Sequence, residues 1–154
     1  MAELLRKHDA RDAAPASPLA ALAGKRRITK DDVAALRASD LAMGLRDRAE
    51  AELMFAIERS RTETCRAWGD LLVELVTDFV VWDQRPSGTL TEDTAYWLSD
   101  QVGECPTPAC LALLVAVTDE AADLPAWFLP AVRLRASKAF GRQTGQAAQV
   151  SAAA

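Results

Sequence analysis

Apolar residues recur along this chain at helical rather than strand spacing, and each helical stretch opens on a residue suited to cap it. Thr29 followed by Asp32 is a near capping box, after which Val33, Leu36, Leu41 and Ala42 keep a helical interval as far as Gly44. Asp47 with Glu50 forms a second cap, and Leu53, Met54 and Ile57 make the buried stripe of a helix running to about Ser60. Thr64 opens a third helix. Its apolar residues, Trp68, Leu71, Leu72, Leu75, Val76, Phe79, Val80 and Trp82, cover most of its circumference, which predicts a place at the centre of the fold. Pro86, Ser87 and Gly88 end that segment, and Thr91 caps a fourth helix carrying Tyr96, Trp97, Leu98 and Val102. Thr107 and Pro108 start a fifth that runs to about Ala122, with proline at the one position where its missing amide hydrogen costs nothing. Pro125 and Pro130 bracket Trp127, Phe128 and Leu129. A proline at 130 would forfeit the bond to the carbonyl of Ala126 in a continuous helix, so the spacing predicts a short turn and a last helix starting near Pro130. No stretch alternates long enough to predict a half-buried strand. The expected fold is all-α, a single-domain bundle of about six helices.

The ends read differently from the middle. Residues 9–24 lack a steady period and 1–27 are expected to form a flexible N-terminal arm, while 141–154, mostly Gly, Gln, Ser and Ala, are expected to be a disordered tail. The helical domain is then 28–140. Within it, Gly44 and Gly88 lie 44 positions apart, and the same shift carries Asp47 onto Thr91, Ala51 onto Ala95, and Leu53 with Met54 onto Trp97 with Leu98. Two helix-turn-helix units would explain this register, and two amphipathic hairpins of similar length would also share part of it by chance.

Each turn has the outline of a calcium-binding helix-loop-helix, with a glycine bend and oxygen ligands around it. Around Gly44 the closing Glu50 is present, but Leu41 and Met43 occupy ligand positions; around Gly88, Asp83 and Ser87 remain, but Arg85 and Thr94 replace ligands. Both are therefore expected to be capped turns. The run Ala42-Met43-Gly44-Leu45-Arg46-Asp47-Arg48-Ala49-Glu50-Ala51-Glu52 resembles the turn of TerB-like tellurite-resistance domains and the N-terminal domain of some DnaJ-type co-chaperones, with Gly44, Asp47 and Glu50 in the matching places. The resemblance covers Thr29 to Phe140 loosely and implies a helical fold. Met43 stands where the metal-binding members of that family carry an acidic residue.

Composition narrows the function classes. The chain has 154 residues, half of them apolar, with 18 basic against 22 acidic side chains and a net charge of −4, a balance that argues against nucleic acid as partner. The longest apolar run, Ala109 to Val117, is too short for a membrane span, and Met1 to Asp12 offers no apolar leader, so a cytoplasmic protein is expected. Cys65, Cys105 and Cys110 are odd in number and lack the C-x-x-C spacing, which suits reduced structural thiols.

Catalytic machinery is not legible. The one histidine, His8, sits in the arm, and no glycine-rich phosphate loop is present. Asp70, Glu74 and Asp78 share one face of the third helix, where a solvated stripe is the ordinary outcome and a cation site the sharper one. No catalytic, cofactor or metal-binding residue is assigned. What remains is surface: Trp127 and Phe128, held between two prolines, and the basic cluster Lys25, Arg26 and Arg27 are the candidate contacts for a protein partner or a second copy of the chain. The expected function is a noncatalytic helical interaction or scaffold module, with a TerB-like metal-responsive stress domain and a carboxylate-dependent enzyme as alternatives.

Overall fold

The structure, a computed structural model, describes residues 17–63 and 65–152. Among these, seven α-helices follow in order: α1 (Pro18–Leu22), α2 (Lys30–Arg37), α3 (Arg48–Ser60), α4 (Arg66–Thr77), α5 (Glu92–Glu104), α6 (Pro108–Glu120) and α7 (Phe128–Ala152). A 3₁₀ turn, Asp40–Met43, follows α2, and a π-helical segment, Asp78–Asp83, extends α4. No strand occurs among the described residues, only an isolated bridge between Thr89 and Asp123. The fold is thus an all-α bundle.

The caps form as the residue types dictate. Thr29 Oγ1 accepts from the amide of Asp32 while Asp32 accepts from the amide of Thr29, a complete capping box. Asp47 accepts from the amide of Glu50, but Glu50 reaches past it to the amide of Arg46. Thr91 and Thr107 cap α5 and α6 in the same way, the latter with Pro108 at the first helical position. Thr64, the expected start of the third helix, lies outside the described residues, and Cys65 stands at the N-cap of α4 without a side-chain cap bond.

Asp32 does more than cap. A hydrogen bond from Lys25 Nζ at 2.6 Å, with that from the Thr29 amide, holds its carboxyl at about 2. A depressed carboxyl contributes stability above its unfolded value, and the contribution fades as pH falls through the folded one. Asp32→Ala is therefore expected to cost about 1 kcal/mol at pH 7. In urea melts at descending pH, the deficit against the unaltered chain should shrink between about pH 4 and pH 2. A deficit constant across that range would show that the charge is not what stabilises the cap.

Helix α4 occupies the centre, packed most extensively along α6. Trp68, Leu71, Leu72, Val76 and Val80 are fully buried in one apolar cluster that also holds Phe55 and Met54 of α3, Leu113 and Val117 of α6, and Phe128 of α7. One expected core residue is not in it. Trp82 is 47% exposed, because the π-helical turn after Thr77 changes the rotation per residue and turns Val81 inward in its place.

The domain limits also move. Leu19 and Leu22 of α1 are buried against the core, so the packed structure includes residues placed in the arm by composition. At the other end the helical backbone continues beyond Phe140 to Ala152, with residues 141–145 exposed, where a disordered tail was expected. Helix α7 starts at Phe128, two residues before Pro130. Pro130 is its third residue, where no amide has an intrahelical acceptor and proline therefore costs little.

The 44-residue register carries into three dimensions. Gly44 and Gly88 both adopt positive φ, at 88° and 79°, and α3 and α5 are each 13 residues long with both ends offset by that same interval. Ala51 and Ala95 are fully buried, as are Met54 and Leu98. Gly44 combines its φ with a ψ of −171°, a region essentially confined to glycine. The two helices lie side by side and parallel: Arg48 pairs with Asp93, Trp97 donates to Glu52, and Arg59 pairs with Glu104, every one of these contacts spanning 45 residues.

Candidate functional site

The described tryptophans follow one rule that no local pattern announces. Each donates its indole N–H to a glutamate distant in sequence: Trp68 to Glu58, Trp82 to Glu120, Trp97 to Glu52 and Trp127 to Glu92, all at 2.9 to 3.0 Å. A buried or half-buried indole needs such an acceptor, and Glu58, the partner of Trp68, is itself buried. Only Trp68 is wholly internal.

Trp127 is the one that builds a surface. The segment before α7 is pinned to the loop before α5 by two backbone bonds, Leu90 to Asp123 at 3.0 Å and Ala122 to Gly88 at 2.9 Å. That places Trp127 against α5, where its ring stacks on Tyr96 with centroids 4.6 Å apart and planes 20° from parallel. Tyr96 is 57% exposed. With the indole N–H anchored on Glu92, the pair forms a rigid aromatic plate open to solvent, and exposed Leu134 follows along α7. Tyr96 was read from the sequence only as part of the apolar face of its helix, and its exposure is a tertiary outcome.

Phe128 does not share this surface. It is fully buried, its ring edge-on to Trp127 at 5.7 Å, so the expectation of a partner contact at Phe128 is corrected: it anchors α7 in the core. Successive residues around a helix start differ in direction by about 100°, so Phe128, the first residue of α7, enters the core while Trp127 just before it stays at the core's edge. The basic cluster is also dispersed. Lys25 pairs with Asp32 and Arg27 with Glu63 at 3.2 Å, leaving Arg26 exposed between them. Two of the three charges are answered within the chain.

The acidic stripe of α4 separates into three different environments. Asp70 faces Arg66 at 3.8 Å, and Glu74 takes a two-pronged bond from Arg37 that holds its carboxyl below the usual carboxylate range. Asp78 stands with Glu120, Glu74 and Asp83 around it, and partial burial followed by those like charges pushes its carboxyl up. Among the described residues, no group of three or more Cys, Asp, Glu or His is placed to hold a metal ion.

Repulsion at Asp78 makes a testable cost. Asp78→Asn is expected to raise the unfolding midpoint at pH 7, solvent screening at this exposed position keeping the gain under about 1 kcal/mol. The gain should vanish toward acid pH, where the native carboxyl is protonated and no longer repelled. Thermal melts at the two pH values check it, and a variant less stable at pH 7 would show that Asp78 makes a favourable contact instead.

The cysteines are inward. Cys105, at the C-cap of α5, and Cys110, in the first turn of α6, are buried in contact, and Cys65 is half-buried; none is in a disulfide. The neighbouring Cys105 sulfur and burial push the Cys110 thiol well up, so it remains a thiol at neutral pH. His8 lies outside the described residues. No helix among the described residues is long and apolar enough to cross a membrane. Compared with known proteins, the chain matches no family model, no curated protein and no solved structure.

Proposed function

We propose that this chain is a noncatalytic helical interaction module that engages a protein partner, or a second copy of itself, through the plate formed by Tyr96 and Trp127. The observation that carries the reading is the stacked, solvent-open geometry of that pair. Large rings dominate binding energy where they are buried on association, and a ring already held in place loses little rotamer freedom when a partner covers it. Stacking on Tyr96 and the bond to Glu92 hold Trp127 in this way. Nucleic acid is not part of the reading, given the net charge of −4, and a cytoplasmic location is, since three unpaired thiols suit a reducing compartment.

The test combines self-association with partner capture. Light scattering across a hundredfold range of concentration reports whether the chain forms dimers, and affinity capture from its host identifies other partners. Tyr96→Ser is expected to weaken the association at least tenfold, since one aromatic anchor contributes about 2 kcal/mol or more. Helical circular dichroism should remain unchanged, because the Tyr96 ring is mostly in water. A strict monomer that retains no partner, or an association indifferent to Tyr96→Ser, would remove this reading.

A further inference from the structure

From Leu124 to Ala154 the chain has no Asp or Glu, while Arg133, Arg135, Lys138 and Arg142 give it four positive charges in a protein that is acidic as a whole. Three of the four, Arg135, Lys138 and Arg142, fall at helical spacing on one face of α7 and line the same groove. The facing wall is the turn from α5 to α6, and the lining is apolar: Val102, Pro106, Pro108, Leu111 and, from α7 itself, Ala139. The groove has a volume of about 430 Å³, within the range of small-molecule sites. Arg135 is held in place by a bond from its guanidinium to the carbonyl of Ser99 at 3.2 Å. None of the three cations forms an ion pair with a carboxylate among the described residues, whereas Arg27, Arg37, Arg48, Arg59 and Arg61 all do. The N-terminal end of α6 at Thr107 and Pro108 adds positive potential to the same wall.

We infer that this groove binds a small amphipathic anion, a carboxylate or phosphate monoester carried on an apolar chain, with the head group on Arg135, Lys138 and Arg142 and the chain along Leu111 and the two prolines. Unpaired cations beside an apolar wall suit a ligand that offers both chemistries at once, and neither an inorganic anion nor a neutral chain alone satisfies the site. The groove shares no lining residue with the aromatic plate, so the two contacts are tested by different substitutions.

Titration of the full chain with decanoate and with decyl phosphate, followed by calorimetry, tests the assignment. Binding of either supports it, and their relative affinity reports which head group is preferred. Inorganic phosphate and decanol are each expected to bind at least about tenfold more weakly, the scale of one hydrogen bond to an ionised group. Lys138→Gln/Arg142→Gln, at two exposed positions, should weaken decanoate about tenfold with helicity unchanged. Ala139→Glu, which sets a carboxylate in the groove on a residue that keeps the helix, should abolish binding. The assignment is overturned by absence of binding to both alkyl anions, by equal binding of decanol or inorganic phosphate, by indifference to the double substitution, or by attachment only to phosphatidylglycerol vesicles or to polyglutamate.

Discussion

Glu58→Ala is expected to cost about 3 to 5 kcal/mol, the scale on which removing one member of a buried ion pair destabilises a fold. Glu58 is 3% exposed, and its Oε2 accepts from Arg61 Nε at 2.6 Å and from Trp68 Nε1 at 2.9 Å. Burial pushes the Glu58 carboxyl up, but the Arg61 guanidinium, Thr107 and the Trp68 indole together outweigh it and hold it below the ordinary carboxylate range. Removing the carboxylate leaves a guanidinium whose side chain is 7% exposed without its counter-charge, bonded to the carbonyl of Glu63 at 3.0 Å, and leaves the indole N–H of the central helix without its acceptor. For a domain with about 5 to 15 kcal/mol in total, urea melts should show a variant near the edge of folding. The double variant Glu58→Met/Arg61→Leu separates charge from packing. It should recover the share due to the stranded charge and leave the roughly 1 to 3 kcal/mol for the unpaired Trp68 N–H. Because the carboxyl is depressed, the stabilisation from Glu58 is present above its unfolded value and fades as pH falls through the folded one. A double variant as unstable as Glu58→Ala would assign the loss to packing and the unpaired Trp68 N–H rather than to the stranded charge.

Phe128→Ala and Trp127→Ala, one residue apart, are expected to have opposite consequences. Phe128 is fully buried and wedges the start of α7 into the core, so its truncation should cost about 3 to 5 kcal/mol by transfer and cavity terms. Trp127 is half-buried, and its loss should cost clearly less stability while removing the association attributed to the aromatic plate. Chemical melts and binding measured on both variants check the pair. A Phe128→Ala variant within about 1 kcal/mol of the unaltered chain would contradict the burial and return Phe128 to the surface.

Most of the secondary structure was readable because it rests on local chemistry. The caps Thr29, Asp47, Thr91 and Thr107 set four helix starts where expected, since a cap bond spans only three residues. Gly44 and Gly88 were legible as bends for the same reason, their backbone conformations being ones that other residues resist. The π-helical turn at Asp78–Asp83 was not, because it changes only which apolar residue, Val81 or Trp82, faces inward, and both are apolar. Composition placed Leu19 and Leu22 in an arm, since a five-residue helix has too little length for a period to show. The stripe Asp70, Glu74 and Asp78 was visible as a face but not as three separate environments, because the partners Arg37 and Glu120 come from other helices.

What the order of residues determined unaided was the class of the fold, the starts of its helices and the central position of α4, all consequences of interactions within a few residues or of a long apolar helix that must be covered. Tertiary structure alone decided that each indole finds a glutamate, that Tyr96 stacks outward on Trp127 while Phe128 turns inward, and that three cations of α7 share a groove without a carboxylate. The physical reason is range. Caps and periodicity act across one helical turn, whereas these contacts join residues from 10 to 45 positions apart and exist only once the helices have packed.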